Sequence, residues 1–123
     1  MAINHDRIIE EIVLHLNQEK YDVYTNQGHE HNAGIDGNYP DVILTEKGST
    51  TVKFIMEIET IDSVNEESKN QWKKYYDEIK ATFYLVVPAS TLNRTKELCQ
   101  RFGINARYTT YIENEGKLIF DFQ

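Results

Sequence analysis

At 123 residues, 40% hydrophobic and 27% charged, the chain is long enough for one domain with a real core. A formal net charge of −7 argues against a general polyanion binder. The lone Cys99 excludes a disulfide framework and a cysteine metal site, and no apolar run approaches the roughly 18 residues of a spanning helix.

The N-terminal MAINHDRIIEE lacks a cationic start followed by an apolar run, so no secretory signal is expected. The expectation is a cytoplasmic protein with no membrane partner.

Residues 5–19 predict an amphipathic helix. Ile8, Ile9, Ile12, Val13 and Leu16 form one apolar stripe, and Asn4 or Asp6 can cap its start. Glu10 and Glu11 flank that stripe; His5 and His15 carry no signal. Residues 21–26, YDVYTN, alternate and read as a first strand. The glycine-rich QGHEHNAGIDGN of residues 27–38 is a loop. His29 and His31 lie in it without fixed mutual geometry or a completing ligand set, so they are better placed at a substrate edge than on a metal.

Residues 39–45, YPDVILT, predict a second strand, with Pro40 at its first position, where a missing N–H costs least. The turn Glu46-Lys47-Gly48-Ser49 leads into a third strand over Thr51–Glu59. The two strands form an antiparallel hairpin, which brings Asp41 to the C-terminal end of the third strand.

Helix and strand signals then alternate. A helix is expected over 63–80, with Ser63 and Glu66 as a capping box and Val64, Ser68, Trp72, Tyr75, Tyr76 and Ile79 facing inward. The continuous apolar run Thr82–Val87, ended by Pro88, suits a strand covered on both faces. Ser90 or Thr91 starts a third helix ending at Phe102, with Thr95, Leu98, Cys99 and Phe102 inward and Gly103 as its C′ residue. Strands at about 105–112 and 117–122 close the chain around an Asn114-Glu115-Gly116 turn. The order is α-β-β-β-α-β-α-β-β.

The third strand carries the chemistry. Successive side chains point to opposite faces, so Phe54, Met56 and Ile58 line one face while Glu57 and Glu59 share the other. Neighbouring carboxylates repel, and partial burial raises the penalty. A hard cation, Mg²⁺ or Mn²⁺, would relieve both, with Asp41 supplying a third oxygen donor. The alternative is that Glu57 and Glu59 are solvent-facing residues of a half-exposed strand.

This order of elements and carboxylates resembles the PD-(D/E)XK, or restriction-endonuclease-like, nuclease superfamily. Pro40-Asp41 resembles its PD element, and Glu57-Ile58-Glu59 its (D/E)-x-K element in an E-x-E variant. Gln71-Trp72-Lys73-Lys74-Tyr75 is similar to the Q-x-x-x-Y signature of the RecB-like branch. The resemblance implies a single α/β domain over 1–123, with an αβββαβ core and a mixed central sheet flanked by helices. It implies a metal-dependent nuclease hydrolysing DNA phosphodiester bonds.

In that reading Asp41, Glu57 and the Ile58 carbonyl hold Mg²⁺ (or Mn²⁺), while Asp41, Glu57 and Glu59 do the chemistry. Gln71, Tyr75, Lys73 and Lys74 position nucleic acid, and Glu10 is a candidate accessory acid on the first helix. Glu59 stands where the family usually has lysine, which removes the residue usually assigned to activating water. The alternative is a catalytically silent module of the same fold that binds nucleic acid or a protein. Two active sites suit two DNA strands, which makes a homodimer a further expectation.

The charge distribution fits without deciding. Residues 1–67 carry 4 Lys/Arg against 14 Asp/Glu, and residues 68–107 carry 8 against 3. A nuclease needs such a division, but a solvated helix surface would also produce it.

Overall fold

Six strands form one sheet whose spatial order is the chain order, β1(Tyr21–Thr25), β2(Val42–Glu46), β3(Val52–Ile58), β4(Thr82–Pro88), β5(Arg107–Asn114) and β6(Lys117–Phe122). Three helices accompany them: α1(His5–Val13), α2(Ser68–Glu78) and α3(Leu92–Arg101). The computed structural model describes residues 4–27, 31, 33–65 and 67–123. The predicted order of elements is the observed one, apart from a 3-10 turn over Ala89–Thr91 ahead of α3.

Strands β1 to β3 are antiparallel, β3, β4 and β5 run parallel, and β6 returns antiparallel to β5. Parallel neighbours require crossovers, and α2 and α3 supply them. Both steps move in the same direction across the sheet, so both helices cover the same face. Their side chains Trp72, Tyr75, Ile79, Leu98 and Cys99 pack there with Ile43, Ile55, Phe83, Leu85 and Val87. The opposite face receives α1, whose Ile8, Ile9 and Ile12 meet Val42, Leu44, Met56, Ile58 and Val86. Each such apolar side chain contributes roughly 1.5–3 kcal/mol on burial. Covered on both faces, the run Thr82–Pro88 is the continuous hydrophobic strand its sequence suggests.

Several boundaries differ from expectation for local reasons. Helix α1 stops at Val13 rather than 19. Asn17 Oδ1 accepts from the backbone N–H groups of Glu19 and Lys20, a turn that competes with further helix, and Leu14 is left exposed. Strand β2 starts at Val42 rather than Tyr39, because the 39–41 segment is held by Asn26 instead of the sheet ladder.

Helix α2 starts at Ser68, not Ser63. Ser63 directs its hydroxyl to Glu59 and Thr60, and Asn65 Oδ1 accepts from the N–H groups of Glu67 and Ser68 in its place. Glu66, the other half of the expected capping box, lies outside the described residues. Two turn predictions hold: Gly103 follows α3 at φ +68°, and Glu115-Gly116, both at positive φ, make the two-residue hairpin between β5 and β6. Among the described residues, no helix is long and apolar enough to cross a membrane.

Candidate functional site: an acidic corner at the end of β3

The β2–β3 register places Val42 opposite Met56, so Asp41 lies across from Glu57 one step beyond the ladder. The Asp41 backbone N–H donates to Glu57 Oε2 at 3.2 Å, and the Ile58 N–H donates to Asp41 Oδ2 at 2.8 Å. Pro40 comes next in register. It has no N–H to offer the Ile58 carbonyl, and its own carbonyl is taken by Asn26 Nδ2 at 2.8 Å. The Asp41 side chain thus replaces a missing strand partner, an arrangement that follows directly from the Pro-Asp pair.

Glu57 is 4% exposed. Burial, together with the facing Asp41 and Glu59 carboxylates, pushes its carboxyl well above the ordinary carboxylate range, so it tends to retain its proton. The charged groups facing it are acidic. Nothing in a hydrophobic core requires such a group, and it lies at the carboxyl end of a parallel strand, where α/β sheets commonly bind ligands.

Glu59 is differently placed. It shares the α2-side face with Glu57, as strand alternation requires, but four contacts bind it into the scaffold. Trp72 Nε1 donates to Oε1 at 2.9 Å and Ser63 Oγ to Oε2 at 2.8 Å. Its backbone N–H donates to the Val86 carbonyl at 2.8 Å, and its carbonyl accepts from Tyr111 Oη at 2.6 Å. Burial raises its pKa, while the Trp72 and Ser63 donors pull it back down. The structure therefore brings Asp41 and Glu57 into contact and engages Glu59 elsewhere.

His5 completes the corner. Its Nε2 lies 3.0 Å from Asp41 Oδ2, and that hydrogen bond outweighs partial burial to raise the imidazole pKa to about 9. The acid expected from this helix is Glu10, and His5 carries no sequence signal of its own. Glu10 is exposed, and His5 is the α1 residue that reaches Asp41. A signal was present: His5, Ile8, Ile9 and Ile12 stand at i, i+3, i+4 and i+7, which extends the inward stripe back to His5.

The α2 candidates divide. Gln71 Nε2 donates to Tyr75 Oη at 3.0 Å. Burial raises the Tyr75 pKa, and Glu57 and Asp41 add to the rise, which puts this phenol beside the corner. Lys74 Nζ donates to Asn38 Oδ1 at 2.6 Å, on the loop that leads to Asp41. Lys73 turns away, pairing with Asp77 at 3.1 Å and lying 5.8 Å from the Tyr76 ring centre. Of the loop histidines, His31 stacks on Tyr39 with ring centres 4.0 Å apart, and His29 lies outside the described residues.

The donor set at the corner is oxygen-rich: two carboxyl groups and the Ile58 carbonyl, with one imidazole beside them. Hard divalent ions favour such donors. Among the described residues, no group of three or more His, Cys, Asp and Glu side chains stands as a ready cage for a metal ion. Asp41 Oδ2 instead receives the His5 and Ile58 hydrogens, so an ion there would displace at least the His5 proton. Comparisons with protein-family models, with curated proteins and with solved structures gave no match.

Proposed function

We propose that the chain is a nuclease-fold protein whose Asp41–Glu57 corner takes Mg²⁺ or Mn²⁺ and acts on DNA phosphodiester bonds. The observation that carries this reading is the contact of Asp41 with the buried Glu57, opposed across the hairpin and faced by further acid rather than by lysine or arginine. The order αβββαβ over residues 5–88 and the position of Tyr75, bonded to Gln71, beside that contact support the restriction-endonuclease-like assignment.

Asp41, Glu57 and the Ile58 carbonyl would hold the ion, with His5 Nε2 available to it once deprotonated. A bound ion would lower the pKa of a water and neutralise charge building on the scissile phosphate. The protein's own residues account for the rest. Burial keeps the Glu57 carboxyl dry, Asp41 is oriented by the Ile58 N–H, and Gln71 and Tyr75 would position the sugar-phosphate backbone.

A second reading has its own support. The contacts that fix Glu59 leave this carboxylate poorly placed to activate water, and no lysine takes the motif position. A binding module that retains the ion but not the chemistry fits that observation.

Two measurements separate these readings. Calorimetric titration with Mn²⁺ should show binding to the wild type and its loss in Asp41→Asn and Glu57→Gln; equal binding by all three proteins would remove the metal site. Nicking of supercoiled plasmid that requires Mn²⁺ and Asp41 identifies the enzyme. Ion binding without such nicking identifies the binding module.

A further inference from the structure

Strand β6 is the outer strand beyond β5, and its free edge is self-complementary. In the β5–β6 ladder Asn114 faces Lys117, Ile112 faces Ile119 and Thr110 faces Asp121, while the Gln123 N–H reaches the Tyr108 carbonyl. The odd-numbered residues of β6 therefore turn their amide groups to β5. Leu118, Phe120 and Phe122 turn theirs outward.

We propose that this edge pairs antiparallel with β6 of a second copy of the chain, about a two-fold axis at Ile119. Outward N–H and C=O groups at even-numbered positions can be shared about an axis at residue 118, 119, 120 or 121. An axis at Asp121 sets two aspartates face to face, one at Phe120 puts Ile119 against Asp121, and one at Leu118 puts Lys117 against Ile119. The axis at Ile119 alone gives a charge match. It sets Lys117 against Asp121 twice, Leu118 beside Phe120 twice, and Ile119 against its own copy.

Lys117, Ile119 and Asp121 then occupy the non-hydrogen-bonded positions of the new ladder, where side chains come closest. Neither Lys117 nor Asp121 has an ion-pair partner within its own chain among the described residues. Ile119 is 50% exposed and its β5 neighbour Ile112 is 49% exposed. Across the axis these would join their copies in one apolar stripe.

Two of the features that usually protect an edge are missing from β6. It has no proline, and its pairing with β5 has no register shift. The opposite edge, β1, offers no such match: Asp22 is its one charged residue and is held by Lys47 Nζ at 3.1 Å and the Gly48 N–H at 2.9 Å. None of the residues in the proposed contact belongs to the acidic corner, so the dimer stands or falls separately from the metal site.

Sedimentation velocity on the full chain at micromolar concentrations tests the proposal. The wild type should sediment at twice the 14.4 kDa chain mass. Ile119→Lys, which sets two cations face to face at an exposed position, should give a monomer with unchanged circular dichroism. Asp121→Lys should raise the dimer Kd about tenfold or more by making both charge pairs repulsive. The double variant Lys117→Asp/Asp121→Lys should restore it to within about threefold of wild type. A monomeric wild type overturns the proposal. So does a dimer whose Kd ignores Ile119→Lys, or a charge-swapped double variant no tighter than Asp121→Lys.

Discussion

Trp72 donates its indole N–H to Glu59 Oε1 at 2.9 Å from the buried face of α2, and this bond ties Glu59 to the helix. Asp41 and Glu57 meet across the hairpin with the His5 imidazole on Asp41, while Glu59 has two side-chain donors of its own. The same strand face thus carries one carboxyl group suited to an ion and one suited to holding α2 and the 60–63 turn in place.

A division of this kind predicts different outcomes for conservative changes. Trp72→Phe removes a fully buried donor and leaves both a void and a carboxylate short of a partner, so unfolding free energy should fall by about 2–4 kcal/mol in urea titration. Glu59→Gln keeps an oxygen for Trp72 and should change stability by less than about 1 kcal/mol. Its Mn²⁺ affinity should stay within about threefold of wild type, since the amide removes charge but no proposed ligand.

Protonation gives a second prediction. The Asp41 hydrogen bond raises the His5 pKa to about 9, and burial raises those of Glu57 and Glu59. All three groups hold protons more tightly in the folded state than in the unfolded one, so the linkage has one sign. The His5 contribution is fully present below its ordinary value of 6.5 and is lost as pH rises through about 9. The two glutamates begin to oppose folding once pH rises above the ordinary value of 4.5. Tm measured in EDTA should therefore fall steadily from about pH 5 to pH 9, and a rising profile would contradict these assignments. Mn²⁺ affinity should increase over the same range, because the ion competes with the protons on Glu57 and His5.

Asn26 is the residue that holds the Asp41 segment. Its Nδ2 donates to the carbonyls of Ala33 and Pro40, and its Oδ1 accepts from the Ala33 N–H, all at 4% exposure. Asn26→Ala strands these backbone groups and should cost about 2–4 kcal/mol, read from denaturant midpoints at constant slope. Hydrogen exchange should quicken at Ala33 before it does in β3 and β4.

Gln71 supplies a test of the nucleic-acid reading. It is exposed and bonded to Tyr75, so Gln71→Ala should leave stability within about 0.5 kcal/mol. Fluorescence anisotropy with a DNA duplex should show affinity falling about tenfold in Gln71→Ala and also in Lys74→Ala, with little change in Lys73→Ala. Equal losses at Lys73 and Lys74 would show a diffuse electrostatic contact instead.

The order of elements was legible because each carries its own period or punctuation. The isoleucine stripe of α1, the alternation in β3, the unbroken run of β4 and the glycines after α3 and before β6 are local signals whose physics acts over a few residues. Asp41 and Glu57 were also within reach, because a short antiparallel hairpin converts sequence spacing into proximity. Three features depended on the assembled sheet. Whether Glu59 would join Asp41 rested on where the α2 indole came down. His5 became part of the corner only when α1 lay across the face opposite α2, and β6 gained a free, self-matching edge only because β5 had already paired on its other side. Periodicity records which face a residue occupies, whereas the partner waiting on that face is set by packing between segments distant in the chain.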